Sequence, residues 1–290
     1  MVNTKSNISQ QDNQGTLYVV ATPIGNLEDI SPRVIKTLSL VDLIACEDTR
    51  HTKKLCHYLK ISTPLFSYYR EKEQEKSDIL VNLLNSGKKI ALVSDAGTPA
   101  ICDPGAILVN KARKAGNKIL AIAGPSALTA SLSIAGLLES KFFFGGFLPA
   151  NATERKRFLK SLASFPFPLV FYETPHRIHA TLVEMVNVFG DRQVQLFREL
   201  SKIHEECLEA TITNILALIE EGIKGELVLI VEGATPPAIE KPEHLEELLI
   251  WYRDELRTSL KDAVHSISLD LNLPRSQVYR LALAMWKKSN

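Results

Sequence analysis

Short apolar runs alternate with amphipathic, charged stretches through the first 123 residues of this 290-residue chain. One helix is predicted to begin at Ser31-Pro32, a second to end near Leu59, and a third to begin in the charged stretch at 71–76. This alternation is typical of a parallel sheet covered by helices. The pattern predicts an N-terminal α/β domain, residues 16–123, with five strands at 17–21, 43–46, 65–67, 89–93 and 118–123.

The alternation restarts after residue 151 with a basic helix from Thr153, a strand at 169–172 and a helix that ends at Phe189. Further apolar runs predict strands at 193–198, 205–210 and 227–231, and the short connection between the first two suits an antiparallel hairpin. We therefore predict a C-terminal α/β domain with a mixed sheet, residues 124–234. A helical tail at 241–290 and a flexible tail at 1–15 complete the expected organisation.

Residues 119–138 form a stretch without charged residues that is long enough for a membrane-spanning helix. The segment Gly124-Pro125-Ser126 interrupts them, so a buried strand, a loop and a helix of small residues are the better interpretation. The first 15 residues are polar and lack the apolar core of a signal peptide. We therefore expect a cytoplasmic protein with no membrane partner.

Composition does not indicate a function, but it bears on the possible partners and metals. The chain is 45% hydrophobic and 23% charged, and its net charge is +1, so bulk electrostatics neither favour nor exclude a polyanionic partner. The four cysteines form no Cys-x-x-Cys pair, which argues against a zinc site, and no metal is expected.

Four of the predicted strands end in polar turns marked by glycine, proline or acids: TPIGN at 22–26, EDTRH at 47–51, SDAGTP at 94–99 and YETPHR at 172–177. In open α/β sheets, ligands bind at the carboxyl ends of strands. The turns therefore predict a cleft for a small molecule, although tight turns with ordinary capping are the alternative for any one of them. Asp103-Pro104 also predicts the start of a helix.

Seven motifs occur in order within residues 16–233: TPIGNLEDI, EDTRHT, VSDAGTPAICDPG, AGPSA, GGFLP, FYETPHR and KGELVLIVEG. Together they resemble the tetrapyrrole-methylase superfamily, and specifically its branch of small-subunit ribosomal RNA 2'-O-methyltransferases. The first turn holds one glycine where many superfamily members have several, a departure that the RNA branch shares.

The resemblance implies a two-domain tetrapyrrole-methylase-like enzyme that binds S-adenosylmethionine between its domains and works as a homodimer. It also implies 2'-O-methylation of a cytidine ribose near the decoding centre, with 16S ribosomal RNA or the small ribosomal subunit as the partner. The implied cofactor-binding residues are Pro23, Gly25, Asp95, Ala96, Gly97, Thr98, Ile101, Asp103, Ser126, Ala127 and Tyr172.

Methyl transfer from a sulfonium is an in-line displacement, so orientation and desolvation supply much of the acceleration. A carboxylate or a neutral histidine can accept the proton of the acceptor hydroxyl. The candidates are Asp48, His51, Glu173 and His176. We favour Asp48 or Glu173, with Arg50 beside them, although Asp48 can equally cap the next helix.

Arginines offer forked donors that suit phosphate or carboxylate partners, and the sequence leaves both roles open for Arg50, Arg177 and Arg198. The tail resembles a helix-turn-helix with a modest basic excess. Its RNA-contact candidates are Arg275, Arg280 and Lys287, and a helical pair that packs in a dimer is the alternative.

Two other activities stay open at this point. One is a methyltransferase of the same fold that acts on a tetrapyrrole or another small molecule. The other is a dinucleotide-dependent enzyme, which the absence of a Gly-x-Gly-x-x-Gly turn disfavours.

Overall fold

The structure is a computed structural model that describes residues 15–235 and 244–286. The chain divides into two compact units, residues 1–234 and 235–290. The predicted flexible tail lies outside the described residues, apart from Gly15. None of the helices in the described ranges is long and apolar enough to span a bilayer.

The first unit begins with a five-stranded parallel sheet in the order β3-β2-β4-β1-β5. Its strands are β1 (Thr16–Val20), β2 (Leu43–Cys46), β3 (Leu65–Ser67), β4 (Lys89–Val93) and β5 (Lys118–Ile122). The helices between them are α1 (Pro32–Leu40), α2 (Thr49–Tyr58), α3 (Glu73–Asn85) and α4 (Ala106–Lys114). Short 3-10 helices occupy Leu27–Asp29 and Arg70–Lys72. The predicted parallel α/β sheet is confirmed.

Both faces of this sheet are covered, which explains why its strands read as continuous apolar runs. Along β4, Ala91 and Val93 pack in one core with α1 and α2. Ile90 and Leu92 point to the opposite face and pack in a second core with α3 and α4. Alternate residues of one strand therefore serve two separate cores.

A second five-stranded sheet follows in the order β6-β7-β10-β8-β9. Its strands are β6 (Phe143–Phe147), β7 (Leu169–Glu173), β8 (Gln193–Arg198), β9 (Glu206–Thr211) and β10 (Leu227–Val231). Only the β6–β7 pair is parallel, and β8 and β9 form the predicted antiparallel hairpin. The mixed sheet is therefore confirmed. Four helices accompany this sheet: α5 (Ala127–Ile134), α6 (Ala152–Leu162), α7 (Ile178–Phe189) and α8 (Ile212–Leu218).

The face of the second sheet that carries Val170 and Val228 packs against α5 and against Ile24 from the turn after β1. This contact joins the two sheets within the first unit and brings the ends of β1 and β7 into one region. The other face buries Phe171 and Leu229 beneath α6, α7 and α8. The division of this unit into domains at residues 123 and 124 stays a prediction.

Two expectations about local structure need correction. Asp103 does not begin a helix, because α4 begins at Ala106 and the residue before it is Gly105, with φ 145°. The N–H of Gly105 donates instead to the Glu73 carboxylate at 2.7 Å. The strand predicted as buried at 119–123 is the sheet edge β5, where Ala121 is exposed and only Ile122 is buried.

The second unit contains three described helices, α9 (Leu245–Asp254), α10 (Leu260–Asp270) and α11 (Arg275–Trp286). They share a core of their own that includes Leu249, Ile267 and Val278. Residues 271–274 form the break between α10 and α11. This unit therefore has the buried apolar centre of a small helical module.

Candidate functional site

A cavity of about 350 Å³ lies where the turn after β4 meets the ends of β7 and β10; we term it the inter-sheet cavity. Both sheets contribute to its walls, as the predicted cleft at strand ends requires. Nine of the eleven predicted cofactor-binding residues line it: Asp95, Ala96, Gly97, Thr98, Ile101, Asp103, Ser126, Ala127 and Tyr172. The motifs after β1, β4 and β7 therefore converge on one space, whereas EDTRH at 47–51 contributes no residue to it.

The turn after β4 is held in shape by the turn after β1. The N–H of Gly97 donates to the Thr22 carbonyl at 3.1 Å, and the Thr22 N–H donates back to the Gly97 carbonyl at 2.9 Å. The Thr22 hydroxyl also donates to the Ser94 carbonyl. Gly97 has φ +74°, a backbone conformation that residues other than glycine adopt only at an energetic cost. A glycine at this position therefore allows the turn to form, and its N–H and C=O groups are both hydrogen-bonded to Thr22.

Tyr172 links the second sheet to the start of α5. Its hydroxyl accepts a hydrogen bond from the Leu128 N–H at 3.1 Å, and burial raises the pKa of that hydroxyl. The ring meets Phe144 and Phe147 edge to face, with centroids 5.1 and 5.5 Å away. Tyr172 therefore forms a fixed aromatic wall of the inter-sheet cavity.

Three carboxylates at the ends of β2 and β4 influence one another. Burial raises the pKa of Glu47, and the neighbouring carboxylates of Asp103 and Asp95 raise it further, against the opposing charge of Arg70. Burial also raises the pKa of Asp103, with the Ser94 hydrogen bond and Arg70 acting in the other direction. The field on this side of the cavity is negative, which favours a cationic ligand.

A second space of about 380 Å³ adjoins the first; we term it the α2 cavity because His51, Lys54 and Tyr58 of α2 form one wall. It shares Asp95 and Ala96 with the inter-sheet cavity. The remaining shared residues are Ile24 and Glu226. The two cavities therefore adjoin along these four residues.

Pro23 and Gly25, which the resemblance assigned to the cofactor, line the α2 cavity and not the inter-sheet cavity. At Gly25 a Cβ atom would lie 2.3 Å from the Lys202 side chain. Lys202 in turn forms ion pairs with Glu199 at 2.8 Å and Glu226 at 3.1 Å. The absence of a side chain at Gly25 therefore leaves room for Lys202 to pack against the turn after β1.

Asp48 and Arg50 belong to the start of α2. The Asp48 carboxylate accepts the Arg50 N–H at 2.7 Å and pairs with the Arg50 guanidinium through both oxygens, at 3.1 and 2.8 Å. These contacts hold the pKa of Asp48 far below its usual range, which makes the carboxylate a weak base. Neither residue lines either cavity. The capping alternative therefore describes Asp48 better than the favoured role in proton transfer.

Glu173 lines the inter-sheet cavity, but its side chain is almost fully buried and its oxygens are engaged. Oε1 accepts the Thr174 N–H at 2.9 Å, and Oε2 accepts the Thr181 hydroxyl at 2.7 Å. Arg177 Nε lies 3.5 Å from Oε1. These contacts tie the turn after β7 to α7, and the role of Glu173 as the base stays a prediction.

The arginines predicted to bind RNA differ in whether their side chains already have partners within the protein. Arg177 donates to the Leu148 carbonyl at 2.5 Å, and Arg198 pairs with Glu206 across the hairpin at 2.8 Å, so both have protein partners. In the second unit the exposed Arg275 contacts His265. Arg280 is exposed, and Lys287 lies outside the described residues.

The basic helix α6 holds one cation that is not free. Arg155 is buried, and its Nε lies 2.6 Å from the Glu184 carboxylate. Its guanidinium also donates to the Ala150 carbonyl. This arginine therefore fixes α6 against α7.

Several residues that line the cavities were not predicted from the sequence. Phe147 and Glu226 lie in the motifs GGFLP and KGELVLIVEG, so their signal was present but unassigned. Leu200 follows β8 in no motif, and nothing in the sequence pointed to it. Lys54 lies just beyond EDTRHT, within a helix predicted only as cover for the sheet.

Comparison with known proteins gives three kinds of match. The family model of tetrapyrrole (corrin/porphyrin) methylases matches residues 16–216. Among solved structures, uroporphyrin-III-C-methyltransferase from Thermus thermophilus has a TM-score of 0.54 at 16% identity, covering 75% of this chain and 94% of its own. Diphthine synthase has a TM-score of 0.57 at 15% identity, covering 76% and 90%. These two likenesses concern the fold.

Curated relatives match over nearly the whole chain. The protein of Bacillus subtilis is 39% identical over 96% of this chain and 98% of its own length. That of Synechocystis is 42% identical over 93% and 98%, and that of Escherichia coli O157:H7 is 41% identical over 96% and 98%. All three are named ribosomal RNA small subunit methyltransferase I. The chain therefore belongs to the tetrapyrrole methylase family and, within it, to the ribosomal RNA small subunit methyltransferase I group.

Proposed function

We propose that this protein transfers a methyl group from S-adenosylmethionine to a cytidine 2'-hydroxyl of 16S ribosomal RNA, near the decoding centre. The observation that carries the proposal is its identity of 39–42% to relatives named for small-subunit ribosomal RNA methylation, over more than nine tenths of the chain. The ribose position and the decoding centre come from the resemblance of the motifs to the 2'-O-methylating branch.

The inter-sheet cavity has the chemistry that S-adenosylmethionine needs. Its apolar walls include Ile101, Leu200 and Val228, which suit an adenosine. Asp95 and Asp103 place negative charge beside it, which suits a ligand with a positive sulfonium and ammonium. When bound, S-adenosylmethionine supplies an electrophilic methyl group on a good leaving group.

The protein's own task is then to orient the acceptor and to exclude water. The acceptor hydroxyl loses its proton as the new bond forms. Asp95 borders both cavities and accepts the Asp48 N–H through Oδ1 at 3.2 Å, while Oδ2 has no hydrogen bond within the described ranges. We assign the hydroxyl proton to Oδ2 of Asp95, in place of Asp48 or Glu173.

The test uses purified protein, labelled S-adenosylmethionine and small ribosomal particles that lack the modification. Label should enter the RNA, and the labelled position should resist alkaline cleavage, because a methylated 2'-oxygen cannot attack the adjacent phosphate. Mapping that resistant bond identifies the nucleotide. Porphyrinogen and protein acceptors serve as controls. Label in those acceptors but in no RNA would contradict the proposal, and label on a base would contradict its ribose part.

The proposal includes association of two copies of the chain. Support comes from the unpaired edge of β5 and from the exposed apolar side chains of Ile134, Leu138 and Phe142 next to α5. A sheet edge beside exposed apolar side chains is a surface that proteins ordinarily cover. Sedimentation equilibrium should give twice the chain mass of 32.3 kDa. A monomer at micromolar concentration would contradict this part alone.

A further inference from the structure

We infer that the α2 cavity receives the target nucleotide and that Lys53 and Lys54 of α2 contact its flanking phosphates. The inference rests on the proposed function and adds to it the surface on which the RNA lies. This surface is distinct from the RNA-binding arginines predicted from the sequence, three of which, Arg177, Arg198 and Arg275, already contact other residues of the protein.

Charge is the first argument. Together α1 and α2 carry the bases Arg33, Lys36, Arg50, Lys53 and Lys54, and they contain no aspartate or glutamate. Arg50 is neutralised by Asp48. The other four are exposed, and their side chains make no ion pair with any residue in the described ranges. Both helices pack on the same face of the first sheet, so these four bases without ion pairs lie on one side of a protein of nearly zero net charge.

Position along the helix is the second argument. His51, Lys54 and Tyr58 are spaced three and four residues apart, so they share one side of α2, and all three line the α2 cavity. Lys53 is exposed next to this side. Tyr58 leaves 59% of its surface exposed, which makes its ring available for stacking with a base. A cation and an aromatic ring on one helix side suit a single-stranded nucleotide.

Contact with the inter-sheet cavity is the third argument. Asp95 and Ala96 line both spaces, so the cavities adjoin and a ribose in the α2 cavity lies next to the site proposed for S-adenosylmethionine. Lys202 also lines the α2 cavity, but its two glutamate partners neutralise it. On α6, Lys156, Arg157 and Lys160 are exposed, yet that helix lines neither cavity. Among these cations, Lys54 alone is unpaired and borders the α2 cavity.

The test reverses two charges on each face of the sheet. Lys53→Glu with Lys54→Glu removes the proposed phosphate contacts, and Arg113→Glu with Lys114→Glu on α4 is the matched control on the opposite face. The probes are unmodified small ribosomal particles and a fluorescent single-stranded RNA that spans the modified position. Far-UV circular dichroism verifies that both variants are folded.

We expect the α2 variant to bind RNA about tenfold or more weakly, with the slope of log Kd against log salt reduced by about 1.4, because each phosphate contact on a single strand contributes about 0.7. Its Kd for S-adenosylmethionine should equal that of the wild type. The α4 control should keep wild-type values for both ligands. Equal losses in the two variants, or wild-type RNA affinity in the α2 variant, would overturn the inference.

Tyr58 provides an independent measurement. Tyr58→Phe should retain RNA affinity, whereas Tyr58→Ala should bind RNA about 5- to 150-fold more weakly, since stacking needs the ring and not the hydroxyl. If the wild-type protein methylates no RNA at all, the proposed function fails. If it methylates RNA and the α2 and Tyr58 variants behave like the wild type, only the placement of the RNA fails.

Discussion

Substitution of Glu173 distinguishes two roles for its carboxylate: holding the turn after β7 to α7, or acting as the catalytic base. Its carboxylate accepts the Thr174 N–H and the Thr181 hydroxyl, and Arg177 lies beside it. Glutamine preserves most of this arrangement, because its amide oxygen accepts from the N–H and its NH₂ donates to the hydroxyl oxygen. Alanine preserves none of it. A general base would be lost equally in both variants.

The contacts set the expected magnitudes. Hydrogen bonds to a charged group each contribute about 1.5–3 kcal/mol, so Glu173→Ala should lower the free energy of unfolding of the first unit by about 3–5 kcal/mol. Glu173→Gln should cost roughly 1 kcal/mol. Thr181→Val removes one hydrogen bond and should cost about 1.5–3 kcal/mol, which places it between the two.

The assay must report on the first unit. Both tryptophans of the chain, Trp251 and Trp286, lie in the second unit, so tryptophan emission follows the wrong part of the molecule. Hydrogen exchange of the β7 and β10 amides, measured by mass spectrometry, reports local stability beside Glu173 directly. The rate of methyl transfer is measured in a single turnover at saturating S-adenosylmethionine and RNA.

The two roles predict opposite results for the glutamine variant. A structural tie predicts a transfer rate close to wild type, with exchange protection nearly intact. A base predicts a loss of about 10²–10⁴-fold in rate with protection unchanged. The second result would refute the assignment of Glu173 to the turn and return it to the chemistry.

Three further outcomes are expected. Asp48→Asn should keep the single-turnover rate near wild type, whereas Asp95→Asn should lower it about 10²-fold or more, since only Asp95 borders the two cavities; equal rates in the two variants would contradict the assignment. Arg155→Met should destabilise the first unit by about 3 kcal/mol in hydrogen exchange, because it leaves the partly buried Glu184 carboxylate without its partner, and RNA affinity should not change. Gly97→Ala should cost about 1–2 kcal/mol of stability through its positive φ and weaken binding of S-adenosylmethionine by calorimetry; unchanged stability would show that the turn can adopt another conformation.

The parallel sheet was predictable because its strands are buried on both faces and therefore appear as uninterrupted apolar runs. The second sheet was predicted less completely. Strand β6 was missed because Gly145 and Gly146 interrupt its apolar pattern. A Cβ on Gly145 would lie 2.5 Å from the Phe171 ring, so the residue that obscures the strand is one that the packing requires. Helix α8 is short and follows β9 without a break, so it was missed in the connection between the predicted strands 205–210 and 227–231.

The location of the site was predictable and the roles of its charged residues were not. The carboxyl ends of the neighbouring parallel strands β1 and β4 meet at one edge of the first sheet, so their motifs converge through topology. The motif after β7 joins them because the second sheet packs against Ile24. Whether a carboxylate in such a motif is free depends on atoms that the motif does not specify. Asp48 finds Arg50 within its own turn, and Glu173 finds Thr181 one helix later. Only the three-dimensional structure distinguishes a carboxylate that is paired from one that faces a cavity.

That Asp95 and Ala96 line both cavities has a thermodynamic consequence. Two ligands that contact the same two residues should influence each other's binding, because each changes the surface that the other meets. Linkage then requires reciprocity: the factor by which the cofactor changes RNA affinity equals the factor by which RNA changes cofactor affinity. S-adenosylhomocysteine lacks the methyl group and the sulfonium charge, so its coupling factor with RNA should differ from that of S-adenosylmethionine. A coupling that reverses sign after transfer would make these shared residues the element that releases the modified RNA.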